Sequence, residues 1–447
     1  MRLAGLLALA AVLVLAAAAP AAAHTVSAGA DLRIAQTIAG TELTVVVKST
    51  SRVPGPLRIG IIAYQPVTGL PVALEVRSAE DGRAVTGQAV AAPDPRYAEL
   101  RVERTGPHVL TLRAGGESSA VPFRVLVERG SGAELLIYGG FFAAGVLLVG
   151  GLLTGATARP GRAMALAAGA AAGVTVAVMV IVFEPLVPAG PPDGAAPAVT
   201  GPAGGGRPYV QERVETVPAR PAAGEEFTLR VDLVDGSTGR PVDDLTAHHE
   251  ALAHLIVTSQ DGSYFRHVHP LRTAPGRLEV RLRADRPGRY LTHTELERED
   301  SGGQLLAAAF DVGGAAAERP EDATGKRPED ATAGRPEDEA GTLPDGARGT
   351  PVLRPAVPVA GRPATIELDA TGPVRPWLGM TGHLIVRDGD GGFLGHVHEL
   401  GSAGGRLRFT FSFPAPGRYL AWAQYALADR ILTVPFTVEV AAPESLR

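Results

Sequence analysis

The sequence predicts a mainly β fold, with three immunoglobulin-like β-sandwich units and a two-helix transmembrane hairpin. Three observations carry that prediction. Short runs of alternating apolar and polar residues, the period of half-buried strands, fill most of the chain. Two apolar stretches, 134–154 and 163–187, are each long enough to cross a bilayer. Gly 55 and Pro 37 among 447 residues favour turns and short strands over long soluble helices. That length also exceeds one typical domain, so several units are expected.

Taken in order, residues 1–23 carry Arg2, an apolar run through Leu15 and the small residues Ala21, Ala22 and Ala23, the pattern of a secretory signal peptide. Cleavage there leaves His24 as the amino terminus, whose amine and imidazole together can chelate Cu(II). Residues 24–130 form the first extracytoplasmic sandwich, with runs such as ELTVVVKST and VPFRVLVE separated by turns at Pro54-Gly55-Pro56 and Asp81-Gly82. Two transmembrane helices, 134–154 and 163–187, flank a loop at 155–162 that holds Arg159 and Arg162 and no acid. Glu134 and Glu184 stand at the other two ends, so the positive-inside rule places the loop in the cytoplasm. The expected location is therefore the cell membrane, with the large domains outside. Gly151, Gly155, Gly169 and Gly173 have the spacing that lets two helix backbones approach, and no charge lies mid-span to indicate transport. A Pro- and Gly-rich linker, 188–207, leads to a second sandwich, 208–314. Residues 315–350 repeat RPEDATG, RPEDATA and RPEDEAG, an acidic, disordered linker, and the third sandwich occupies 351–442.

The second and third units are copies of one another. HLIVTSQDGSYFRHVHP begins at His254 and HLIVRDGDGGFLGHVHE at His383, with 9 of 17 positions identical. The offset of 129 persists to Pro287-Gly288-Arg289-Tyr290-Leu291 and Pro416-Gly417-Arg418-Tyr419-Leu420. A Tyr entering a late strand after a turn predicts a sandwich corner held by its hydroxyl, and His108 occupies a comparable corner in the first unit.

The repeated histidines have metal-site spacing. Asp261-Gly262 and Asp390-Gly391 are preferred tight-turn pairs, so each motif should fold into a hairpin. Pairing outward from the turn sets His254 opposite His269 with His267 on the same face, and His383 opposite His398 beside His396. Opposed Cβ atoms lie about 5 Å apart, close enough for three imidazoles to converge on one ion. A slip of one residue would destroy the arrangement. Because Ile256 and Phe265 share the histidine face, packed structural histidines are the competing reading.

Composition narrows the chemistry. Cys is absent, which excludes disulfides and thiolate sites. A net charge of -5, with Lys only at 48 and 326, excludes a basic face for nucleic acid. Imidazole ligands without thiolate suit Cu(II), Zn(II) or Ni(II). Met380, three residues before His383, adds a soft donor that favours copper, and His293 is a further candidate ligand in the first copy. No Gly-x-Ser-x-Gly, His-Glu-x-x-His or phosphate loop is present, so no enzymatic activity is expected.

The HLIV, DG and HVHP elements resemble the signature of YtkA-like β-sandwich modules in bacterial extracytoplasmic heavy-metal-handling membrane proteins. The first unit more loosely resembles the periplasmic copper-resistance protein C family, which also begins with a histidine after signal cleavage; the Asp-x-His element of that family is missing here. The resemblance implies a membrane-anchored metal-binding protein, with copper as the favoured divalent ion. It would sequester metal or exchange it with delivery proteins of the envelope through two hairpin sites that the flexible linker leaves uncoupled. The alternative is a non-catalytic envelope interaction protein with structural histidines.

Overall fold

The computed structural model describes residues 30–443 except 65–68, 129–131, 184–190, 197–208, 300, 315–350, 371, 400, 402–404 and 428–429. The signal segment 1–23, His24, the linker 315–350 and parts of 163–187 and 188–207 lie outside the described residues.

In the first unit, two four-stranded antiparallel sheets face each other. Alternate residues such as Val45, Ile59, Leu74 and Leu110 point inward and fill the space between them. Two helices follow, α1 (Gly132–Leu153) and α2 (Pro160–Phe183), with mean hydropathies of 2.1 and 2.4 over their apolar windows. At 22 and 24 residues they measure about 33 and 36 Å, long and apolar enough to cross a membrane. The second begins at Pro160, three residues before the apolar run, because proline is preorganised for the first helical position. The backbones touch where Gly140 faces Gly173: a side chain on either would overlap the carbonyl of the other.

The second unit packs the sheet of Val210–Val217, Glu226–Asp235, Leu271–Ala274 and Arg277–Arg283 against one containing Ala253–Ser259, Phe265–Val268, Gly288–Arg298 and Gly302–Val312. The third repeats this plan, with His383–Asp388, Leu394–His398, Gly417–Ala426 and Ile431–Val440 in its histidine-bearing sheet. Tyr290 donates to the Arg286 carbonyl at 2.8 Å and Tyr419 to that of Ala415 at 2.9 Å, forming both corners.

All seven residues of Ala253–Ser259 are buried. A sandwich strand with one face to water would expose every second residue. Here Leu255 and Val257 enter the core of their own unit, while Ile256 meets Ile385, Leu394 and Trp422 of the third unit. Phe265 stacks on Trp422 at 4.6 Å between ring centroids. Buried Arg387 donates to Thr258 Oγ1 at 2.6 Å and to the carbonyls of Ser259 and Gln260, each at 2.9 Å. Thr258 and Arg387 are equivalent under the offset of 129, as are the reciprocal contacts of Gly262 with Leu420 and Gly391 with Leu291. The two copies thus meet face to face about a pseudo-twofold axis.

This corrects the expectation of two uncoupled hairpins. A polar spacer sets how far two units can separate, whereas their complementary apolar faces decide whether they join. The first unit joins as well: Thr37 N–H donates to the His269 carbonyl at 2.8 Å, and His269 N–H to Thr37 Oγ1 at 3.0 Å. Ala35, Tyr64, Ala251, Trp377, Leu378 and Ala426, drawn from all three units, close a small shared core.

Gly391 has φ +79, and a side chain there would run into Leu291. Gly391→Ala should therefore destabilise the chain by about 1–3 kcal/mol. Gly303→Ala, at a position with nothing within 4 Å, should change it little. Thermal melts of the two variants check the difference.

Candidate metal centre

Each histidine hairpin is closed by a four-residue loop rather than the expected two-residue turn. Ser259 N–H donates to the Tyr264 carbonyl at 3.1 Å, and Gly262 N–H to the Ser259 carbonyl at 3.0 Å. The Asp261 carboxylate accepts from Ser263 N–H at 3.0 Å and from Ser263 Oγ at 2.8 Å, which holds the loop, while Gly262 takes the left-handed position at φ +74. The loop adds one residue to each arm, so the register stays as the sequence requires. Ile256 pairs with His267, and in the second copy His383 pairs with His398 and Ile385 with His396. In the first copy the ladder ends at Leu255 and Val268, because the backbone of His269 turns to bond Thr37 instead.

The structure brings His254, His267 and His269 together, and likewise His383, His396 and His398; in each trio three ligand atoms lie within 4.8 Å of one another. Each trio could hold a metal ion. The hydrogen bonds fix which nitrogens face inward. His254 Nε2 donates to the His248 carbonyl at 3.0 Å, His267 Nδ1 to Gln424 Oε1 at 2.9 Å and His269 Nδ1 to Glu42 Oε1 at 2.6 Å. As a neutral imidazole each ring would carry one proton, and the outer partner is placed to take it. The remaining nitrogens, His254 Nδ1, His267 Nε2 and His269 Nε2, present bare lone pairs to one another. His254 Nδ1 stands 3.1 Å from each of the other two. Three ligands at about 2.0–2.1 Å from one ion stand about 2.9–3.4 Å apart, depending on coordination geometry.

The second trio repeats the pattern. His383 Nε2 donates to the Trp377 carbonyl at 3.1 Å and His396 Nδ1 to Glu295 Oε2 at 2.7 Å, leaving His383 Nδ1 and His396 Nε2 3.2 Å apart. His398 Nε2 is buried without a hydrogen-bond partner. Glu295 and Gln424 are equivalent positions, and each supports a histidine of the opposite unit. The trios are also neighbours: ring centroids lie 5.3 Å apart for His267 and His396, 5.5 Å for His254 and His396, and 6.1 Å for His267 and His383.

One further candidate, His293, falls elsewhere. His293 lies opposite Ile256 on the neighbouring strand, and its Nε2 donates to the Gly391 carbonyl at 3.0 Å, so it holds the interface and joins neither trio. The backbone of Met380, three residues before His383, exchanges two hydrogen bonds with Trp377 in a turn. The motif also gave no sign of Glu42, Glu295, Gln424 or the two carbonyls. The offset of 129 could have paired Glu295 with Gln424; Glu42, from another unit, has no signal in the repeat.

Burial disfavours the charged form of several of these imidazoles. It holds His254, His267 and His383 well below the ordinary histidine range, with neighbouring histidines adding to the effect. Burial likewise pushes His398 down to about 3 and His249 down to about 4. For Glu295, burial raises the carboxyl, but the hydrogen bond from His396 and the neighbouring histidines outweigh it and leave the group below its usual value.

A family model described as Domain of unknown function (DUF8832) matches residues 211–315 and 355–442, the two histidine-bearing units. No curated protein matches the chain. Similar solved structures include invasin, a bacterial integrin-binding protein, at 9% identity and TM-score 0.17, covering 90% of this chain and 60% of that one. Trypsin-activated alpha-2-macroglobulin from Escherichia coli aligns at 9% identity and TM-score 0.18, over 89% of this chain and 23% of its own. The FN1-FN3 domains of chicken CNTN1 align at 7% identity and TM-score 0.17, over 92% and 98%. The chain thus spans less than two thirds of the first two.

In the metal-free chain the six depressed histidines, His293 included, favour the neutral form when folded and take up protons below about pH 6.5 once unfolded. The unfolded state then binds more protons, so stability is lost as pH falls. The melting temperature should hold above about pH 7 and decline between about pH 6.5 and 5, above the range where ordinary carboxylates titrate. A melting temperature constant from pH 7.5 to 5 would contradict the buried, neutral assignment.

Proposed function

We propose that the chain is a membrane-anchored extracytoplasmic metal-binding protein. It sequesters divalent transition-metal ions or exchanges them with delivery proteins of the envelope, and catalyses no reaction. The observation that carries this reading is the set of bare imidazole nitrogens converging at 3.1 Å in a buried interface. Structural histidines pair a donor with an acceptor; neutral rings whose protons go to these outer partners face acceptor to acceptor, which is repulsive until a cation lies between them. Outer carboxylate, amide and carbonyl partners that orient each ring and fix its tautomer are the usual surroundings of a ligating histidine.

Copper remains the favoured ion on grounds that do not depend on Met380. An all-imidazole set binds Cu(II) most tightly among the first-row divalent ions, ahead of Ni(II) and Zn(II). The likeness of the histidine segments to YtkA-like modules agrees with a metal-handling role. Support for the membrane anchor comes from the lengths and hydropathies of α1 and α2, and for the orientation from Arg159 and Arg162 between them.

Two measurements test the proposal. The full chain in detergent, loaded with Cu(II) and desalted, should retain about two ions, one for each trio of ligands. Simultaneous His→Ala changes at positions 254, 267, 269, 383, 396 and 398 should abolish retention; ions kept by that variant would place the binding elsewhere and leave the six histidines structural, as an envelope interaction protein requires. For topology, a reporter near Gly161 should read cytoplasmic and reporters at 190–205 and 320–345 extracytoplasmic. A cytoplasmic signal from either linker would overturn the orientation.

A further inference from the structure

The two trios are unequal in access. His254, His267 and His269 are 1%, 8% and 0% exposed, and Trp377, at 1%, lies against the trio with its ring 5.5 Å from His267 and 6.1 Å from His269. Leu378, at 0%, packs beside it with Ala35 and Tyr64 of the first unit. The first trio is sealed. In the second, His383 and the imidazole of His396 are equally enclosed, and His398 alone is partly buried. His249, also partly buried, places its ring 3.9 Å from that of His398, and the ring of His248 stands 3.9 Å from that of His249.

The duplication explains the difference. His248 and His249 correspond to Trp377 and Leu378. Both pairs occupy the same turn: His248 and Ala251 exchange two backbone hydrogen bonds, as do Trp377 and Met380. The central residues have positive φ in each, 46 at His249 and 61 at Glu250, and 54 at Leu378 and 73 at Gly379. Each turn lies between the trios: the Trp377 ring is 5.0 Å from His383 of its own unit and 5.5 Å from His267 of the other, and the His249 ring 6.5 Å from His254 and 3.9 Å from His398. From the third unit it brings an indole and an aliphatic side chain that close the first trio; from the second unit it brings two imidazoles to the rim of the second.

We propose that His248 and His249 are an uptake relay for divalent metal ions, a role that rests on the metal-binding reading above. An ion captured from solvent by this imidazole pair passes to His398, whose Nε2 has no partner, and so into the second trio. The sealed first trio then fills from the second across the contacts of His396 with His254 and His267. Capture at the rim raises the local ion concentration at the trio, so the relay governs rate and leaves final capacity alone.

Stopped-flow mixing of the full metal-free chain in detergent with Zn(II), followed by an indicator of free zinc, tests this. The double variant His248→Gln, His249→Asn removes both imidazoles, and Asn tolerates the left-handed backbone of position 249. It should retain the same final zinc content as the unsubstituted chain while taking it up at least about tenfold more slowly. Unchanged uptake rate, or a loss of capacity with no slowing, would overturn the relay. If the double variant does not fold, His248→Gln alone, which leaves the backbone of the turn intact, should show a smaller slowing at full capacity, and an unaltered rate there would overturn it equally. Absence of uptake by the unsubstituted chain is a separate outcome and defeats the metal-binding reading itself.

Discussion

Three imidazole nitrogens converge in a buried interface, His254 Nδ1 standing 3.1 Å from each of the other two, and as neutral rings held by their outer partners they cannot hydrogen-bond to one another. That constraint organises the molecule around it. Each ring must be held against the repulsion by an outer acceptor, and the acceptors come from three parts of the chain: Glu42 in the first unit, the His248 carbonyl in the second and Gln424 in the third. Burial then blocks the other escape, protonation, by disfavouring the charged rings. A cation resolves both costs at once, since it replaces repulsion with coordination and requires the rings to be neutral.

The duplication supplies the interface that makes this possible. A single sandwich with the HLIV hairpin would expose its histidine face to water on one side. Two copies set face to face cover it, with Ile256, Phe265, Ile385 and Trp422 providing the apolar contact and Arg387 a buried polar anchor on the second unit. The outer acceptors Glu295 and Gln424 occupy one position in the repeat and reach across to the opposite trio. Each half is therefore incomplete without the other. Divergence at a second position, His249 against Leu378, then distinguishes a closed trio from one with an imidazole rim.

Much of this was legible in the sequence because it follows from periodicity. The parity of the hairpin fixes that His254, His267 and His269 share a face whether the loop holds two residues or four, so the trios were readable despite the wrong turn type. The apolar runs and the small residues between helices were equally local signals, although Gly140, which meets Gly173, was not among the glycines singled out. What was not legible depends on which surfaces meet. Strand alternation gives two faces and does not say what covers the outer one, so the joining of the two hairpins, and with it the diversion of His293 to the Gly391 carbonyl, could not be read from spacing. Glu42 lies 227 residues from His269 and belongs to a unit with no copy of the motif.

X-ray absorption at the copper edge of the Cu(II)-loaded full chain tests the central claim most directly. The account predicts a nitrogen shell at about 2.0 Å, an ordinary metal–imidazole length, with the outer-shell scattering of about three imidazole rings per ion. A shell dominated by oxygen without imidazole scattering would contradict it, because the converging lone pairs would then not be the ligands.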